Sequence, residues 1–207
     1  GPEGIRNIAQ RINRLTQIFA QGLKSEGMEI VNTHFFDTIT FKVDAAQASA
    51  ITARADAAAV NLRCDRLASA GELGISLDEC TTPEDVATLW QVLLGDMADE
   101  LSVEAIDAAI VAGKLGPVIP AELQRTSAYL THPNFNNYHS ETDMMRYLKR
   151  LEDKDISLTH SMIPLGSCTM KLNAAAEMMP ISWPEFSKPH PFTPVEQMTG
   201  YLEMITQ

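Results

Sequence analysis

A hydrophobic pattern near the start of the chain constrains the fold more than any other feature. Between positions 5 and 26 the apolar residues recur at steps of three and four, at Ile5, Ile8, Ile12, Leu15, Phe19 and Leu23. Side chains at this spacing share one face of an α-helix, and that face has to be buried against other elements. Gly27 predicts the end of the helix, because glycine readily adopts the left-handed conformation common there.

The sequence then changes to the period of a strand and back to that of a helix. Apolar and polar residues alternate from Ile39 to Val43, which predicts a half-buried strand. Residues 45–58 are rich in alanine and predict a helix. Residues 61–79 predict two short strands, split at Ala70-Gly71. Their inward-facing side chains would be Leu62, Cys64, Ile75 and Leu77.

A third predicted helix ends this region. Thr82 can cap the helix, Pro83 suits its first position, and two acidic residues follow in the first turn. The helix should run to Leu94 and end at Gly95. The alternation of helices and strands predicts a small α/β domain of the α+β type over residues 1–95.

Residues 96–125 predict a linker, since Gly116-Pro117 and Pro120 interrupt regular structure. It includes one short helix, from Ser102 to Ala112 and closed by Gly113. A further helix should begin after Ser140, with an inward stripe formed by Met144, Tyr147, Leu148 and Leu151.

Beyond Asp155 prolines become frequent, and such a segment is expected to wrap over a larger body instead of forming its own core. The chain lacks an initiator Met and stops within a predicted helix. Both features predict a piece of a longer polypeptide.

Charge and cysteine content limit the class of protein. The chain has 27 acidic and 16 basic residues and a net charge of −11, which argues against nucleic acid and against anionic membranes. Acidic solubility is the simpler account, and a basic partner is the alternative. Cys64, Cys80 and Cys168 are widely spaced, so they predict reduced cytoplasmic thiols and no zinc site. A Cys64–Cys80 disulfide stays open.

The stretch with the most reactive side chains is residues 162–173, Met-Ile-Pro-Leu-Gly-Ser-Cys-Thr-Met-Lys-Leu-Asn. A Gly-Ser-Cys-Thr turn can present hydroxyls and backbone N–H groups to a phosphate or carboxylate, and Lys171 could add charge. The alternative is a capped turn in which Ser167 or Thr169 bonds to its own backbone.

Residues 162–173 are similar to a hallmark of the P-protein family of the glycine cleavage system. Other strings of this chain resemble the same family in the same order: Gly-Pro-Glu-Gly-Ile-Arg-Asn-Ile-Ala at 1–9, His-Phe-Phe-Asp-Thr at 34–38, Leu-Thr-His-Pro at 130–133, Tyr-His-Ser-Glu-Thr at 138–142, Met-Met-Arg-Tyr at 144–147 and Trp-Pro-Glu-Phe at 183–186. The resemblance therefore spans the whole chain.

This resemblance implies an enzyme built from two halves, each like a type I fold of the aspartate-aminotransferase kind. Only the second half would bind pyridoxal phosphate. Residues 1–95 would be the small domain of the cofactor-free half, and residues 126–207 the opening arm of the other half. The complete enzyme would decarboxylate glycine in the cytoplasm and pass the aminomethyl group to the lipoyl carrier (H) protein. A homodimer is also implied.

The resemblance also suggests site residues. Ser167, Thr169 and Asn173 are candidates for holding the substrate carboxylate or ordering the pocket. His139 and His160 are weaker candidates for cofactor contact, and structural roles are favoured for both. The lysine that forms the Schiff base would lie beyond this chain. Lys171 is an unfavoured candidate, since it follows Met170 where the family has a histidine.

Two other classes of function remain open. Cys168 could act as a nucleophile if His160 or His139 lay within hydrogen-bond reach, which the sequence does not establish. The isolated chain could also be a non-catalytic scaffold, because it lacks the cofactor lysine and a complete cofactor domain.

Overall fold

The structure is a computed structural model that describes residues 1–62, 71–156, 160, 162 and 174–207. The chain divides into two compact units, unit 1 at Gly1–Asn136 and unit 2 at Asn137–Gln207. The division into a domain, a linker and an arm stays a prediction.

Unit 1 is mostly helical and contains a small antiparallel sheet. Its described helices and strands are α1 (Pro2–Ser25), β1 (Thr38–Lys42), α2 (Ala45–Ala57), β2 (Glu72–Ser76), α3 (Pro83–Leu94) and α4 (Val103–Val111), with 3₁₀ turns at Gly95–Glu100, Ala121–Leu123 and Pro133–Phe135. Strand β1 pairs with β2 so that Thr38 lies opposite Ser76 and Lys42 opposite Glu72. This composition is consistent with the predicted α/β domain.

The first helix is confirmed, and the structure shows how much of its stripe is buried. Leu15, Phe19 and Leu23 are buried in the core, whereas Ile5 and Ile8 are about half exposed, at 53% and 50%. The buried residues of the helix run only from Ile12 to Leu23. Packing therefore covers the second half of α1 and leaves the apolar residues of its first turns accessible.

The sheet supplies the other wall of the core. Ile39, Phe41 and Leu73 are fully buried, and Ile75 and Leu77 nearly so. The alternation of buried and exposed positions confirms the strand period read from the sequence. The expected strand before β2 falls on residues 63–70, outside the described residues.

Hydrogen bonds at the helix starts confirm one predicted cap and add another. Thr82 Oγ1 accepts from the backbone N–H of Asp85 at 3.2 Å, while Asp85 Oδ2 accepts from the N–H of Thr82 at 2.8 Å. Asp44 and Gln47 form the same reciprocal pair at the start of α2. Such capping boxes satisfy backbone donors that have no partner within the helix.

Helices α1 and α3 approach each other closely in the core. The Trp90 indole is fully buried, and its Nε1–H donates to the Phe19 carbonyl oxygen at 3.1 Å. Gly22 lies one turn further along α1, where an added Cβ would stand 2.4 Å from Trp90 Cε2. Only a residue without a side chain fits there. The Trp90 ring of α3 can therefore pack directly against the backbone of α1.

Helix α4 packs against α1 within unit 1. Ser102 caps it by accepting from the Ala105 N–H at 3.2 Å, and the helix is followed, as predicted, by Gly113, at φ 69°. Arg14 donates to the Asp107 carboxylate at 2.6 Å and to its carbonyl oxygen at 2.7 Å. Most of the predicted linker's regular structure is thus tied to α1.

Unit 2 has a different character. Its described elements are α5 (Glu141–Glu152), α6 (Ala175–Met178), α7 (Pro184–Ser187) and α8 (Thr199–Thr206), with 3₁₀ turns at Met179–Ser182 and Val195–Gln197. None of its described residues is buried. Among the described residues, the buried hydrophobic side chains lie between Ile12 and Ala98, in unit 1.

Helix α5 begins as predicted, because Ser140 Oγ accepts from the Asp143 N–H at 3.1 Å. The prediction that its apolar stripe faces inward is wrong, because Met144, Leu148 and Leu151 are 42%, 56% and 41% exposed. The helix is amphipathic, but the described part of unit 2 provides no layer that covers the apolar face.

Within the described residues, every helix is too short or too polar to cross a membrane.

We expect Gly22→Ala to lower the free energy of unfolding of unit 1 by about 1–3 kcal/mol, because the new methyl group overlaps the buried Trp90 ring. Urea unfolding followed by far-ultraviolet circular dichroism measures this change. Gly4→Ala is the matched control on the same helix, since nothing lies within 4 Å of its added Cβ. Equal stability of the two variants would show that the close approach is not a constraint.

Candidate functional site

The main predicted site lies largely outside the described residues. Ser167, Thr169 and Asn173 fall within residues 163–173, as do Cys168 and Lys171. Their roles stay predictions, and Cys64 is also outside the described part. Cys80 is described and is an exposed free thiol.

The two candidate histidines are described, and both are exposed in unit 2. His139 lies one residue before the Ser140 cap of α5, and His160 lies in a turn. Each takes part in at least one interaction. Exposure and partners of this kind suit a structural role as well as a cofactor contact, so the choice between them stays open.

A cluster that the sequence did not predict lies beside His139. The Tyr138 and Tyr147 rings stack with their centroids 4.2 Å apart and their planes 15° apart. Arg150 donates from Nη2 to the Tyr138 hydroxyl at 2.6 Å, and its guanidinium carbon lies 5.6 Å and 5.4 Å from the two ring centroids. Such contacts favour a cation over aromatic faces.

This cluster holds the chain that enters α5. Tyr138 has φ 63°, in the left-handed region that non-glycine residues rarely adopt. Stacking on Tyr147 and the bond from Arg150 compensate for that strain, and together they fix the backbone next to His139. The signal available in the sequence was an aromatic and an arginine three residues apart on one helix face.

Unit 1 contains a groove of about 690 Å³ between α2 and the ends of β1 and α3. Four of its five charged lining side chains form structural contacts. Lys42 pairs with Glu29, and Asp44 caps α2. Arg54 donates to the carbonyl oxygens of Val92 at 2.7 Å and Leu93 at 2.9 Å. These side chains therefore stabilise the packing of α2 against the ends of β1 and α3.

Two described lysines, Lys42 and Lys149, have raised pKa values. An amine that forms a Schiff base needs a lowered pKa, so that its free base is available. The hydrogen bond to Glu29 raises the pKa of Lys42, and hydrogen bonds to Asp153 and Glu152 raise the pKa of Lys149. Both shifts run opposite to the lowering of the pKa that Schiff-base formation needs.

No group of three or more His, Cys, Asp or Glu side chains within the described ranges could hold a metal ion.

Arg54→Met should lower the free energy of unfolding of unit 1 by about 1–3 kcal/mol, because two carbonyl groups at the end of α3 lose charged donors while the aliphatic stem is kept. Thermal and urea unfolding measure this loss. Arg146→Met, at an exposed position of α5, is the control and should change stability little. A stable Arg54→Met chain would contradict the structural role of the groove.

Unit 1 is thus a small α/β domain with a single tight core, and the described residues of unit 2 are an uncovered extension. Comparison with known proteins agrees with the motifs found above. Residues 1–93 match the family described as glycine cleavage system P-protein.

Curated relatives match along the whole chain. It is 58% identical to the glycine dehydrogenase (decarboxylating) of Shewanella sediminis, 53% to that of Sodalis glossinidius and 51% to that of Idiomarina loihiensis. Each alignment covers 100% of this chain and 21% of the relative. The chain belongs to the glycine cleavage system P-protein family. It spans about a fifth of the length of the curated relatives that it matches.

Proposed function

We propose that this chain is part of a pyridoxal-phosphate-dependent glycine decarboxylase, which releases carbon dioxide from glycine and passes the aminomethyl group to a lipoyl carrier protein. The observation that carries the proposal is 58% identity, over the whole chain, to a relative named glycine dehydrogenase (decarboxylating). Its motifs from residue 130 to residue 186 support the same conclusion.

In this proposal each half of the complete enzyme has a type I fold. Residues 1–95 form the small domain of the cofactor-free half, residues 96–125 the linker, and residues 126–207 the opening arm of the cofactor-bearing half. Support comes from the confinement of the described core to Ile12–Ala98 and from the exposed apolar side chains of unit 2. A segment that buries so little needs a larger body to cover it.

Bound pyridoxal phosphate supplies an electron sink for the loss of carbon dioxide. The resemblance implies that the lysine holding the cofactor lies further along the polypeptide, and the raised pKa values of Lys42 and Lys149 give no support to either as that lysine. The proposal therefore assigns the cofactor lysine to polypeptide outside this chain and gives residues 162–173 a supporting role. Ser167, Thr169 and Asn173 would hold the glycine carboxylate or order the pocket.

The partners follow from the same proposal. They are glycine, the lipoyl carrier (H) protein and the rest of the polypeptide, with two copies forming a homodimer in the cytoplasm. The net charge of −11 agrees with a role that involves neither nucleic acid nor an anionic membrane.

The activity can be tested in the full-length protein. Carboxyl-labelled glycine should release labelled carbon dioxide when pyridoxal phosphate and the lipoylated carrier are both present, and release should fall sharply when either is omitted. A carrier without its lipoyl group is the matched control. Full-length protein that leaves glycine intact under these conditions would rule out the proposed activity.

The role of Thr169 can be tested separately. In full-length protein, Thr169→Ala should raise the glycine KM at least about fivefold. The reason is that the glycine carboxylate loses a hydrogen bond from the threonine hydroxyl that contributes about 1 kcal/mol or more to binding. Steady-state kinetics measures KM and kcat. Thr88→Ala, an exposed position of α3, serves as the control. Unchanged kinetics would remove Thr169 from the site.

A non-catalytic scaffold is the favoured description of the 207-residue chain by itself. Mixed with pyridoxal phosphate, it should show no new absorbance near the visible edge, and borohydride should trap no adduct on Lys171 above the level at exposed Lys188. A stable adduct at Lys171 would overturn this view. Rapid labelling of Cys168 by a thiol probe near neutral pH would instead favour the thiol-enzyme alternative.

A further inference from the structure

A second groove of unit 1 lies between the first half of α1 and the segment from Pro117 to Tyr129, and encloses about 770 Å³. Its wall is apolar at Ile5, Phe36 and Leu123, which are 53%, 43% and 71% exposed. Pockets of roughly 300–1,000 Å³ are typical of small-molecule sites. The proposed decarboxylation assigns no role to these residues.

Two arginine side chains line this groove, and both contact the Tyr129 ring. The guanidinium carbon of Arg6 lies 5.8 Å from the centroid of the Tyr129 ring, and that of Arg125 lies 5.4 Å from it. The Tyr129 hydroxyl fixes the ring by donating to the Pro2 carbonyl oxygen at 2.6 Å. Arg125 also donates to Ser127 Oγ at 3.2 Å, so a hydroxyl lies beside one of the cations.

Within the described residues, neither arginine forms an ion pair with a carboxylate. Arg14, Lys42 and Lys149 have acidic partners, whereas Arg6 and Arg125 contact the Tyr129 ring. Two like charges in one groove repel each other, and a bound anion would offset that repulsion.

We propose that this groove binds a small organic anion. Its carboxylate or phosphate group would lie between Arg6 and Arg125, whose planar guanidinium groups match two oxygens of either head group. Its hydrocarbon body would lie on the apolar wall at Ile5 and Phe36. The site belongs to unit 1 and is independent of the decarboxylation proposed above.

Titration of the isotope-labelled 207-residue chain, followed by amide chemical shifts, tests the site. The probes are phenyl phosphate, benzoate and the neutral analogue benzamide, at low salt. Both anions should bind with shifts confined to residues around the groove, and benzamide should bind at least about tenfold more weakly because it cannot use the guanidinium charges. The stronger of the two anions identifies the preferred head group.

Arg6→Gln and Arg125→Gln should each weaken anion binding by about tenfold, the loss of roughly one charged hydrogen bond. Arg146→Gln, an exposed arginine of α5, is the control and should leave binding unchanged. Far-ultraviolet circular dichroism checks that each variant is folded. Binding of benzamide as tight as that of benzoate, equal binding by all variants, or no saturable shifts would overturn the proposal.

Discussion

The contact between Trp90 and the backbone of α1 determines how the rest of unit 1 is arranged. The indole lies where an added Cβ at Gly22 would be 2.4 Å away, and it donates to the carbonyl oxygen of Phe19 one turn earlier. A buried donor without a partner would cost free energy, so this bond fixes the register of α3 on α1 as well as their separation. Arg54 then ties α2 to the end of α3.

The two units face opposite physical situations. Unit 1 closes a core from Ile12 to Ala98, so its helices are held by burial as well as by caps. Unit 2 has well-formed local structure, such as the Ser140 cap and the Tyr138–Tyr147–Arg150 cluster, but none of its described side chains is buried. Local contacts can specify a helix, whereas stable positioning of an amphipathic helix usually needs a surface to pack against.

Much of the fold could be read from the sequence because its signals are local. The helix ends at Gly27 and Gly95 and the cap at Thr82 depend on residues within one turn. The inward stripe of α5 was predicted wrongly, because periodicity indicates which face is apolar but not whether anything covers it. Residues 163–173, which contain Ser167, Thr169 and Asn173, lie outside the described part, so their roles stay predictions.

The sequence alone determined the helix and strand periods, the caps, the acidic character and the family motifs, because each depends on residue type and short spacing. Only the tertiary structure decided which partners distant residues acquire. Arg14 pairs with Asp107, which is more than ninety positions away in the sequence. Arg6 and Arg125, more than a hundred positions apart, both contact the Tyr129 ring. Those contacts follow from the way α1 packs, and no local pattern encodes them.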